Sequence, residues 1–148
     1  MVTIVATTEV NWPWIVQIGM IRAGWNSYDL LDNLGRPSAR RILPRFQNPK
    51  IGDVIPMSPD GKQGPSVKDF EEARWTLWWD GKGGMPWAWG LYPVDEGHTR
   101  LITRVRLHYD WRPPSIRFHM LVEFTDIVIM RKSMLGIKER AERTQKSR

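Results

Sequence analysis

The stretch IRFHMLVEFTDIVIMRKSMLGIKERAER, residues 116–143, decides how the rest of the chain is read. Met120, Phe124, Ile127, Val128, Met134, Leu135 and Ile137 recur three or four positions apart, the period of a helix with one apolar face. Pro113 and Pro114 separate this helix from what precedes it, where the period falls to two. Residues 66–70, 74–79, 87–92 and 100–109 read as strands. Asp80-Gly81-Lys82-Gly83-Gly84 and Asp95-Glu96-Gly97 are turns that join the last three into an antiparallel meander. Further upstream, Thr3–Ala6 is a short opening strand, and 53–57 is an edge strand because Pro56 has no amide to donate. Thr7 or Thr8 caps a helix through Val10, Trp14, Ile15 and Ile18, with Pro13 near its first turn. Ser27 caps a second short helix carrying Leu30, Leu31 and Leu34, which Gly35 ends. The order predicts one α+β domain over 1–148: a curved antiparallel sheet, a long C-terminal helix on its concave face, and two short helices near the N-terminus.

Composition narrows the chemistry. The chain has 148 residues, 41% hydrophobic and 26% charged, an ordinary globular mix large enough to bury a core. With no cysteine, disulfides, thiolate metal sites and a cysteine nucleophile are excluded. His98, His108 and His119 lack metal-ligand spacing, so no metal and no cofactor is expected. No phosphate loop, dinucleotide fingerprint or Gly-x-Ser-x-Gly elbow occurs. No apolar run approaches the ~20 residues of a membrane span, and no basic segment followed by an apolar one opens the chain. A cytoplasmic protein is the expectation. The net charge is +6, of which +5 falls on residues 131–148, with seven basic side chains against Glu139 and Glu142. Read as a solvated, frayed tail over about 139–148, this excess predicts no nucleic-acid partner and little loss of stability on its removal.

Several local stretches agree with a known family. Trp12-Pro13-Trp14-Ile15-Val16-Gln17-Ile18-Gly19, continuing through Arg22-Ala23-Gly24-Trp25-Asn26-Ser27-Tyr28-Asp29, resembles a recurring segment of SRPBCC proteins, the polyketide cyclase-like and START-like relatives of the birch-pollen allergen. Ile51–Met57 resembles their second strand, Trp87–Pro93 with Thr99-Arg100-Leu101 their late hairpin, and Met130–Glu142 their closing helix. The resemblance covers nearly the whole chain in order. It implies the helix-grip fold, in which sheet and closing helix enclose a cavity. The family includes binders and cyclases, so the resemblance transfers no catalytic residue.

Two groups of residues can carry function. Trp75, Trp79, Trp87 and Trp89 lie on adjacent predicted strands, and Phe124, Ile127 and Val128 on the helix opposite. They read either as core or as the aromatic lining of a ligand site, with Trp78 pointing the other way from Trp75 and Trp79. Stacking of single-stranded nucleic acid is disfavoured by Asp69, Glu71, Glu72 and Asp80 on the same strands. Arg22, Tyr28 and Asp29 sit around the break between the short helices. They are catalytic candidates as oxyanion donors and base, or else a helix first turn with its ion pair. Arg100, Arg104, Arg106 and His108 alternate with apolar residues and read as a solvent face. Glu123, Asp126 and His119 read as flanking or capping groups. The expected function is binding of a hydrophobic, aromatic or polycyclic small molecule in an internal cavity, with polyketide cyclase-like activity as an extension. The alternatives are a cyclase or aromatase acting by substrate folding with acid–base assistance, and an interaction module without a ligand.

Overall fold

A computed structural model describes residues 1–81, 86–106 and 115–148, with side chains described for all of these except 31–32 and 115–123. The elements run β1 (Val2–Ile4), α1 (Thr8–Val16), α2 (Asp29–Asp32), a 3-10 turn (Pro44–Phe46), β2 (Ser66–Glu71), β3 (Trp75–Trp79), β4 (Trp87–Asp95), β5 (His98–Val105) and α3 (Ser115–Lys146). The five strands form one antiparallel sheet ordered β1-β5-β4-β3-β2. This is the α+β arrangement that the change of period announces. The C-terminal ends of the 100–109 strand and of the 80–84 turn, with His108 and Tyr109, lie outside the described residues, as do the side chains of His119 and Glu123.

Two expected elements take other forms. Residues 53–57 make one isolated bridge, Val54 to Ser66, rather than a strand. The backbone is nevertheless tied there, since Ile55 N–H donates to the Pro65 carbonyl and Met57 N–H to that of Gln63, both at 2.8 Å. The second short helix shrinks to four residues, capped by Tyr28 rather than Ser27. Ser27 is drawn away by tertiary structure: its hydroxyl donates to the Ile129 carbonyl of α3 at 3.1 Å.

That bond belongs to a tight seam between residues 25–27 and α3. Ser133 donates its hydroxyl to the Trp25 carbonyl at 2.5 Å. Gly136 lies so close to the neighbouring turn that an added Cβ would stand 2.0 Å from the Asn26 carbonyl oxygen. Asn26 holds a left-handed φ of 59° there, a conformation asparagine tolerates better than most residues. The second half of α3 then buries Met134, Ile137 and Ala141 against α1 and β1.

Two expectations for this helix need correction. Phe124, Ile127 and Val128 do not face the sheet: they are 67%, 65% and 39% exposed. Positions 124–128 are all exposed and sweep more than one helical turn, so no face of that turn is packed. The reason is length: 32 residues span about 48 Å, against roughly 30 Å for a small domain, and among the described side chains of the helix the inward stripe begins near Met130. Nor is the C-terminal segment frayed. Arg140 Nε donates to the Ala39 carbonyl at 2.9 Å, Arg143 Nη2 to that of Arg40 at 2.8 Å, and Ala141 is fully buried. Burial pushes the Arg140 guanidinium below its ordinary value, against the pull of Glu139 and Asp29.

Glu142 closes the other side of the seam. Its Oε1 accepts the Val5 amide at 2.9 Å and Lys138 Nζ at 2.5 Å, while Lys138 also donates to the Thr3 carbonyl at 2.7 Å. Partial burial acts to raise the Glu142 pKa but is outweighed by these donors, which hold it below the usual carboxylate range.

Gly136→Ala is expected to destabilise the protein by about 1–3 kcal/mol in denaturant unfolding, because a backbone carbonyl rather than a pliable side chain must move. Glu142 has its folded pKa below its unfolded one, so its stabilisation is complete above the ordinary range and fades as pH falls through it. Glu142→Gln should therefore lower stability at pH 7 by about 0.5–1 kcal/mol and flatten the loss of stability between roughly pH 5 and 3. Parallel slopes for the two proteins would contradict the pairing.

Candidate functional site

Register separates the strand tryptophans into two sets. Trp78 pairs with Trp87, and Thr76 with Trp89. Directly paired residues share a face, so Trp78, Trp87 and Trp89 point to the core, whereas Trp75 and Trp79 point to the other face. The expected four-indole wall is thus corrected at two positions. Trp75 and Trp79 are half-buried on the outer face, where the Trp75 indole N–H donates to Glu71 at 3.2 Å and Lys68 stands 5.3 Å above the Trp79 ring.

The inner set recruits Trp25, which sequence periodicity could not assign because it lies in an irregular segment. Its ring stacks on Trp87 at 5.6 Å and 5°. Trp87 meets Trp78 edge-on at 5.1 Å, and Trp89 lies 5.7 Å from Trp87 and 6.0 Å from Trp78. Each such pair contributes about 0.5–1.5 kcal/mol beyond burial. Their polar handles differ. Trp87 donates to Thr103 Oγ1 at 2.8 Å, whereas the buried Trp89 indole N–H has no acceptor. Both atoms of the Asn26 amide, on a residue 3% exposed, are also without partners. A buried polar group left unpaired costs about 1–3 kcal/mol, so each needs a reason.

Arg22, Tyr28 and Asp29 are engaged separately rather than gathered into one catalytic group. Tyr28 is exposed, with Lys132 Nζ 5.9 Å from its ring. Asp29 accepts the Ser38 hydroxyl, and the oxygen of that hydroxyl accepts the backbone N–H of Asn26 at 3.0 Å. Arg22 donates from Nη2 to the Val16 carbonyl at 2.8 Å and faces a cleft of about 340 Å3 lined in part by Arg45, Phe46, Asn48, Asp53 and Val54. Its guanidinium lies 4.7 Å from the centre of the Phe46 ring. Burial pushes its pKa down, partly offset by Asp53.

Gln17, whose role its spacing does not reveal, lies outside the cleft lining and anchors the segment that leads into the 3-10 turn. Fully buried, it accepts the Leu43 amide at 2.9 Å through Oε1 and donates Nε2 to the Arg41 carbonyl at 3.3 Å. Gln47 adds a donor to the same oxygen at 3.2 Å. Those bonds hold the 3-10 turn that carries Arg45 and Phe46. A buried glutamine in a helical stretch resembles any other polar residue in sequence, so its role appears only with its partners.

Arg100 and Arg104 on β5, and Arg106 just beyond it, face solvent, as their alternation predicts. Among the described residues no group of His, Asp or Glu is arranged to hold a metal ion, and no helix is long and apolar enough to cross a membrane. No family model, curated protein or solved structure matches the chain.

Thr103→Val is expected to strand the Trp87 indole N–H and cost about 1–3 kcal/mol. In a 1H–15N spectrum the Trp87 indole signal should move and the Trp89 signal should stay nearly in place. Equal movement of both would contradict the separate bonding of the two rings.

Proposed function

We propose that the protein is a helix-grip domain of the SRPBCC or START-like kind that binds a flat, apolar small molecule against the Trp25, Trp78, Trp87 and Trp89 cluster. The strand order β1-β5-β4-β3-β2 and the long closing helix support the fold reading. One observation carries the functional reading: within an otherwise apolar aromatic cluster, the Trp89 indole N–H is buried with no acceptor. Apolar side chains with one or two unmet polar groups are the composition of a small-ligand site. The ligand is then a polycyclic aromatic bearing a carbonyl, which supplies both the stacking face and the missing acceptor.

Binding is favoured over cyclase chemistry because Arg22, Tyr28 and Asp29 answer to different partners, leaving no converging acid, base and oxyanion donor. The exposed turn bearing Phe124, Ile127 and Val128 is the observation that favours the remaining reading, an interaction module.

Anthraquinone is a suitable probe. It is expected to quench tryptophan fluorescence saturably, and Trp89→Phe, which keeps the ring and removes the N–H, should weaken binding by about 1 kcal/mol. Trp75→Phe, on the outer face, should leave affinity unchanged. Unsaturable quenching, or equal loss in both variants, would sink the reading.

A further inference from the structure

The Arg22 cleft lies apart from the tryptophan cluster and has a chemistry of its own. Two guanidinium groups stand close to one aromatic ring: Arg22 and Arg45 each lie 4.7 Å from the centre of Phe46. Neither arginine forms an ion pair with a described residue. Arg22 spends Nη2 on the Val16 carbonyl, and its Nε is buried without a partner. Asp53 balances only part of the charge. One of its oxygens, Oδ2, accepts the Lys50 amide at 2.8 Å, and it stands beyond ion-pair distance from Arg22. Two cations and one anion leave a net charge of +1.

The cleft is also built before any ligand arrives. Gly19 and Gly24 exchange backbone bonds at 3.2 and 3.0 Å, closing a loop whose Met20 amide donates to the Pro56 carbonyl at 2.8 Å. The Arg22 stem lies on Gly19, where a Cβ would stand 3.0 Å from Arg22 Cδ. Gln17 fixes the start of the 3-10 turn that carries Arg45 and Phe46, through the Leu43 amide. Preorganised walls of this kind reduce the ordering cost of binding.

We propose that this cleft binds a small monocarboxylate with an aromatic body, its carboxylate against Arg22 and Arg45 and its ring against Phe46 and Val54. A guanidinium fork matches a carboxylate geometrically, and the residual single positive charge matches a monoanion better than a dianionic phosphate. The volume of about 340 Å3 lies at the small end of ligand sites, which suits one or two rings. The withdrawal of Arg22 from water strengthens its attraction for an anion and lowers its own pKa in the ligand's absence.

The test is calorimetric titration of the full chain with 2-naphthoate, its neutral methyl ester and 2-naphthyl phosphate. We expect saturable naphthoate binding, with the ester at least about tenfold weaker and the phosphate weaker than the carboxylate. Arg45→Gln, a substitution at an exposed position, should weaken naphthoate about tenfold with an unchanged circular-dichroism spectrum. Arg22→Lys should do the same while keeping the charge, and Trp89→Phe should have no effect. The proposal is overturned if ester and acid bind alike, if phosphate binds tighter, or if Arg45→Gln leaves affinity intact. Absence of saturation up to about 10 mM would overturn it as well.

Discussion

The fold depends on one close approach, between the α-carbon of Gly136 and the carbonyl of Asn26. Any side chain there forces the backbone to shift, because a Cβ would stand 2.0 Å from that oxygen. The approach brings α3 within reach of the Ser133–Trp25 and Ser27–Ile129 bonds, and so fixes the segment that carries Trp25. With Trp25 held, its ring is delivered flat onto Trp87, and the inner face of the sheet gains an aromatic cover that no regular element supplies. A glycine in a helix interior costs about 1 kcal/mol relative to alanine. Packing on both sides of the seam outweighs that cost.

Buried polar side chains do the rest of the positioning. Gln17 links α1 to the 41–47 segment, Ser38 joins Asp29 to Asn26, and Thr99 donates to the Ala6 carbonyl at 2.7 Å beside β1. Each satisfies backbone groups of irregular segments that lack a sheet or helix partner. This is how a chain with long stretches between its elements keeps those stretches in one conformation. The same logic marks the exceptions. The Trp87 indole N–H is satisfied by Thr103, whereas that of Trp89 is buried without an acceptor.

The two proposed sites differ in kind, one a buried aromatic cluster and the other a cationic cleft. They arise from separate elements: strands β3 and β4 with Trp25 for the first, and the 19–24 loop with the 3-10 turn for the second. Their chemistries are complementary. Stacking rewards area and tolerates many flat ligands, whereas a pair of guanidinium groups over one ring demands an anion.

By itself the sequence determined the order of elements, the antiparallel meander and the solvent face of β5, because periods of two and of 3.6 are local properties of side-chain placement. Periodicity could not say which part of the long helix is covered: the apolar stripe runs through Phe124, Ile127 and Val128, yet these are exposed while Met130, Met134 and Ile137 pack in the core. Nor could it tell which strand faces meet, since Trp75 and Trp79 are separated from Trp87 and Trp89 only by the register that pairs Trp78 with Trp87. Shifting that register by one residue would exchange the faces. Tertiary structure decided these matters, together with the roles of Trp25, Gln17 and Gly136, because each depends on a partner distant along the chain and close in space.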